Sequence, residues 1–250
     1  MGFDFLNESI SLNPSIIRHL QEIDKRIPLD KNILFTSLLT GKVVIDDYIK
    51  IQSSFIHVIN HWIKLHGLLL SKVTKIQQYR RLNDNLSDSI GKEVPKNLTP
   101  IAQSQIKVRP SNVDLYYEYL KKMGHQGNYP TCTPQTESFI DSLYSIDDPR
   151  ALCCVMGTIE IIYISYSDMC ESIEKKSSIS SYNRKSFETE SEYDIIKYKH
   201  CINLFEVAGI NKNTNISEED KKSITYGYEL FYKMNHDYIR FDDYKIKTQI

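Results

Sequence analysis

The chain has 250 residues, with 31 Lys and Arg against 32 Asp and Glu and a formal net charge of −1, and 41% of its residues are apolar. That apolar share can build a real core, which excludes disorder throughout, and the charge balance offers no concentrated basic face for nucleic acid or anionic lipid. The five cysteines (Cys132, Cys153, Cys154, Cys170, Cys201) are odd in number and form no CxxC pair, so neither a disulfide framework nor a zinc knuckle is indicated.

In chain order, MGFDFLNESISLNP is acidic and broken by polar residues, unlike a secretory leader, and no run of about 18 uncharged apolar residues follows that could span a membrane. A cytoplasmic protein is the expectation. Asn13-Pro14 opens a first helix, with Ile16, Ile17, Leu20, Ile23 and Ile27 at helical spacing. A short piece from Leu34 to Thr40 stops at Gly41. From Ile45 to Ser71, Tyr48, Ile51, Phe55, Val58, Trp62, Leu65 and Leu69 step by three and four, the seam of a long helix. Val73, Ile76, Leu82, Leu86 and Ile90 continue as another helix, which Pro95 is expected to end.

Ser111 with Asp114 resembles a capping box for a helix ending at Gly124, and Thr133-Pro134 and Asp148-Pro149 repeat the start signal. Residues 175–191, KKSSISSYNRKSFETES, read as a mobile connection. Tyr193 to Val207 forms a helix closed by Gly209, and Ser217 before Glu218, Glu219 and Asp220 caps a last one. A Tyr-rich segment, Tyr226 to Tyr244, is left to pack on the bundle or on a partner. No hairpin signal and no internal repeat occurs. The expectation is an all-α fold, one domain over residues 1–250, with about seven to nine helices.

Glu160 is the one charge between Arg150 and Asp168, on a helix apolar all round. Such a helix is central, so its carboxylate is expected to be buried and held by a polar partner or used in chemistry. His57 and His61 share a helix face at a spacing that can chelate a metal, but no third ligand is matched to them. His200 lies with Ile196, Leu204 and Val207 on one face and points inward. Glycine-rich phosphate loops, GxSxG elbows, HExxH and EF-hand loops are missing.

The order of several blocks resembles the heme-oxygenase-like helical fold in its non-heme branch, which includes the Chlamydia protein associating with death domains, the PqqC and TenA proteins and iron-containing redox enzymes. The blocks are LFTSLLTGKVVIDDYIKIQSSFIHVINHWIKL, DNLSDSIGKE, YYEYLKKMG, YPTCTPQTESFIDSLYSIDDPRALCCVMGTIE, YKHCINLFEVA and ITYGYELFYKM, covering about residues 34–240. In iron-dependent relatives two metal ions are held by three carboxylates and three histidines. The resemblance places one carboxylate at Glu160 and one histidine at His200, as metal ligands or catalytic groups. The other matched positions are Ser89, Lys96, Leu204 and Val207, none suited to iron, with Glu206, Glu93, His57 or His61 as substitute ligands. His19, on the first helix, occupies the place of the iron ligand in heme-binding relatives.

The resemblance implies an atypical oxidoreductase acting on a small molecule without a standard di-iron site, with iron as its cofactor only if substitute ligands complete the set. The alternative it implies is a non-catalytic pseudoenzyme that binds a small molecule in the bundle core or a protein partner. A homodimer is the habit of the fold. An enzyme should join Glu160 and His200 in one cavity, whereas a scaffold should fill that space with Leu204 and Val207.

Overall fold

The computed structural model describes residues 12–40, 45–91, 110–126, 130–176 and 190–237. Its helices are α1 (Pro14–Arg26), α2 (Ile33–Leu39), α3 (Ile45–Lys72), α4 (Ile76–Ile90), α5 (Asn112–Lys122), α6 (Pro134–Tyr144), α7 (Pro149–Lys176), α8 (Glu190–Val207) and α9 (Glu218–Asp237), with one 3-10 turn at Leu29–Lys31. No strand occurs among the described residues. The all-α expectation is met.

The starts follow the cap chemistry of the sequence. Asn13 Oδ1 accepts from Ser15 N at 2.8 Å, Ser111 Oγ from Asp114 N at 3.0 Å, and Thr133 Oγ1 from Thr136 N at 3.4 Å. At α9 the box is reciprocal: Asp220 N donates to Ser217 Oγ at 3.1 Å and Ser217 N to Asp220 Oδ2 at 2.9 Å. One end differs from expectation. Helix α4 stops at Ile90, before Pro95, because Gly91 turns the backbone to φ 79°, a conformation open to a residue without Cβ. It also begins at Ile76, three residues after Val73. The expected mobile connection falls, from 177 to 189, outside the described residues, as do Glu93, Lys96 and residues 238–244.

Helix α7 is the axis of the bundle, flanked by α8 and α9. Every residue from Leu152 to Ile162 is buried, as a helix apolar on all sides requires. Helix α3 carries α4, α5 and α6, and contacts of α4 with α8 and α6 with α9 join the two groups. Two glycines set the closest approaches to neighbouring helices. A Cβ on Gly157 of α7 would stand 3.0 Å from the Phe205 ring of α8, and one on Gly227 of α9 would stand 2.9 Å from Val155 O of α7. One face of the Tyr-rich end of α9 packs inward: Tyr228, Phe231 and Met234 are buried and Phe231 lies edge-on to Tyr166 and Phe139, whereas Tyr226 is exposed. No described helix is long and apolar enough to cross a membrane.

The starts of α7 and α9 are tied by charge. Arg150 donates from Nε and Nη2 to Asp220 Oδ1 and Oδ2, each at 2.9 Å. Burial pushes the Asp220 carboxyl up, but the Arg150 guanidinium and the Ser217 bonds outweigh it and hold the group below its ordinary value. A depressed folded pKa gives stability that is complete above the unfolded value, about 3.9, and lost as pH falls through the folded one. Asp220→Asn is therefore expected to lower the melting temperature at pH 7 and to flatten its fall below about pH 4; an unchanged acid limb would remove Asp220 from that role.

Candidate functional site

Glu160 is 3% exposed and His200 1%. Four helices meet at this pair. Trp62 of α3 donates its indole Nε1–H to Glu160 Oε1 at 2.7 Å, and His200 Nδ1 of α8 stands 3.8 Å from the same oxygen. The other ring nitrogen, Nε2, lies 3.2 Å from Asp88 Oδ2 of α4, and Lys199 Nζ is 3.4 Å from that carboxylate oxygen. A buried carboxylate costs several kcal/mol unless polar groups face it, and here an indole donor and an imidazole do so.

The imidazole is oriented by its second nitrogen. A proton on Nε2 satisfies Asp88, which leaves the Nδ1 lone pair facing Glu160. At 3.8 Å Nδ1 is too far from that oxygen for a hydrogen bond, so the imidazole is held from its Nε2 side by Asp88.

Helix α4 braces α8 on a polar stripe. Asn85 Nδ2 donates to His200 O at 3.0 Å, Asn203 Nδ2 to Asn85 Oδ1 at 2.7 Å, and Gln78 Nε2 to Val207 O at 2.7 Å, while Arg81 pairs with Glu206. Asp88, Asn85 and Trp62 are thus parts of the site that sequence reasoning did not assign to it. Their signal was present: positions 78, 81, 85 and 88 repeat at three and four residues, a polar helix face that a search for apolar seams passes over.

The remaining expected ligands lie apart from this pair. His57 Nε2 is 2.7 Å from Pro130 O, His61 Nδ1 is 3.1 Å from Tyr144 OH, and Glu206 is held by Arg81. Burial, then the charges of Lys64 and His57, push the His61 imidazole down. His19 Nε2 sits 2.9 Å from Thr225 Oγ1 and 3.1 Å from Lys221 O, which ties α1 to α9.

The family's two-iron centre does not fit these residues. Ser89 donates to Asn85 O at 2.9 Å, and Leu204 and Val207 are buried hydrocarbon side chains that cannot coordinate a metal. No group of three or more His, Cys, Asp or Glu among the described residues is arranged to hold a metal ion. His200 cannot join Glu160 and Asp88 around one ion, because its two nitrogens point to opposite carboxylates. Among the thiols, burial raises Cys154 to about 12 and pushes Cys201, next to Glu160, higher still, so neither is a ready nucleophile.

Among the described residues, two clefts lie apart from the pair. One of about 180 Å³ is formed by α6 and α9 around Phe139, Leu230 and Met234, and one of about 310 Å³ lies where the α3–α4 turn meets the start of α7 and the end of α8. Neither is lined by Glu160 or His200. No protein-family model and no curated protein matches this chain.

Proposed function

We propose that this chain is a heme-oxygenase-like bundle that has lost the fold's metal chemistry and acts by binding, with Glu160, His200, Asp88 and Trp62 as a polar clasp in its core. The observation that carries the reading is closure: the pair is 3% and 1% exposed, and the positions that the sequence resemblance matches to further ligands are the buried, non-coordinating Leu204 and Val207. A substrate needs contact with the reacting groups, and Glu160 and His200 are almost wholly shielded from solvent.

A second reading keeps an atypical oxidoreductase of this fold, without a standard di-iron site and acting on a small molecule. Its support is the convergence of Glu160 and His200 with Asp88, which orients the imidazole as an acid/base group would need. An anaerobic Fe(II) titration separates the two, with metal content by mass spectrometry and oxygen uptake on the same sample, repeated on Glu160→Gln. The binding reading expects neither stoichiometric iron nor oxygen uptake in either protein. Stoichiometric iron with oxygen uptake, both lost in the variant, would establish the oxidase and overturn it.

A further inference from the structure

The larger cleft is cationic. It is lined by Lys72, Lys75 and Arg150, with Val73 and the largely buried Val207 and Ala208 as its apolar lining, and no carboxylate among the described residues lines it. Arg150 is fixed there by the two bonds to Asp220, a side chain that is itself 2% exposed. Neither lysine pairs with a carboxylate among the described residues. Lys72 Nζ is steadied by Asp147 O at 3.0 Å.

The ordinary acceptors that would explain such a cluster, helix carbonyls and a buried carboxylate, are already met by other groups. The last carbonyls of α8 need no lysine: those of Leu204, Phe205 and Glu206 accept from Ala208, Ile210 and Gly209 N, and that of Val207 from Gln78. The first amides of α7 are taken by Asp148, which accepts from Arg150 N at 3.1 Å and Ala151 N at 3.2 Å. Asp220 needs a single cation and has Arg150. The carboxylates of Asp147 and Asp148 stand at the head of α7 without lining the cleft, and Asp220 offsets the guanidinium, so the lining's remaining charge is that of the two lysines.

Gly209 adds space. Its backbone, at φ 83°, carries no side chain, and a Cβ built there would lie 3.9 Å from Arg150 Nη1, so the guanidinium edge not used by Asp220 meets open room. A fixed guanidinium, two ammonium groups with no carboxylate partner among the described residues and an apolar wall form a recognition surface for an anion with a hydrocarbon or aromatic body.

We infer that this groove binds a small phosphate monoester or carboxylate whose apolar part rests on Val73, Val207 and Ala208. The site is separate from the Glu160 pair, and the inference holds whether or not that pair is catalytic. Calorimetric titration of the full chain at constant ionic strength, with phenyl phosphate, benzoate and inorganic phosphate, tests it. Saturable binding is expected for phenyl phosphate or benzoate, more tightly than for inorganic phosphate, and the stronger of the two names the head group.

The double variant Lys72→Ala, Lys75→Ala is expected to weaken that binding at least about tenfold, with Lys122→Ala, an exposed lysine on α5, leaving it unchanged. Both lysines of the double variant are exposed, so folding is expected to persist and is verified by circular dichroism. No saturable binding by the wild type, equal affinity in the folded double variant, or an equal loss in Lys122→Ala would each overturn the assignment.

Discussion

Glu160→Ala is expected to destabilise the protein by about 3–5 kcal/mol, the usual penalty for removing one member of a buried polar pair. Truncation leaves the Trp62 indole N–H and His200 Nδ1 facing a void in the centre of four helices. Glu160→Gln is the informative contrast. Its amide oxygen keeps the Trp62 bond and its volume leaves no void, so the cost should fall to about 1 kcal/mol. Because Trp62 is the only tryptophan, intrinsic fluorescence reports the same bond: the native emission should move in Glu160→Ala and hold in Glu160→Gln. Urea unfolding of the three proteins measures the energies. If Ala proves as mild as Gln, the carboxylate is not held as described and the clasp account fails.

Gly227→Ala is expected to cost about 3 kcal/mol, at the high end of ordinary overpacking. The new methyl would stand 2.9 Å from Val155 O, 3.1 Å from Val155 Cα and 3.2 Å from Thr158 Cβ. Two of these atoms are backbone of the central helix and cannot turn aside, so α9 must move. With it go Tyr228, Phe231 and Met234, which belong to the same core. Gly67 is the control, for it is also helical, is exposed, and has nothing within 4 Å of an added Cβ. Gly67→Ala should raise stability by about 0.5–1 kcal/mol through the reduced freedom of the unfolded chain. A Gly227→Ala protein as stable as wild type would show that α7 and α9 are not in backbone contact at this point.

Those two glycines mark the boundary of what periodicity conveys. The long seam on α3, the caps at Asn13, Ser111, Thr133 and Ser217, and the apolar run of α7 were legible because each is a local pattern whose physics acts within a few residues. The burial of Glu160 was legible for the same reason, since a helix apolar on every side leaves a carboxylate no route to solvent. Nothing local distinguishes Gly227, pressed on a neighbouring helix, from Gly67, open to water.

Partner choice was decided only in three dimensions. His57 and His61 hold a favourable chelating spacing, yet their ring nitrogens meet Pro130 O and the Tyr144 hydroxyl, because α3 turns those faces to the 130s loop and to α6. Trp62 read as one more apolar residue of a seam, and Asp88 carried no assigned role, until the packing of α3, α4 and α8 against α7 brought both to the Glu160–His200 pair. By itself the sequence determined the helices, their order and a buried acid in the central one. The tertiary structure alone decided which side chains answer that acid and where three cations gather with no carboxylate among the described residues lining their cleft, because both depend on contacts between residues tens of positions apart.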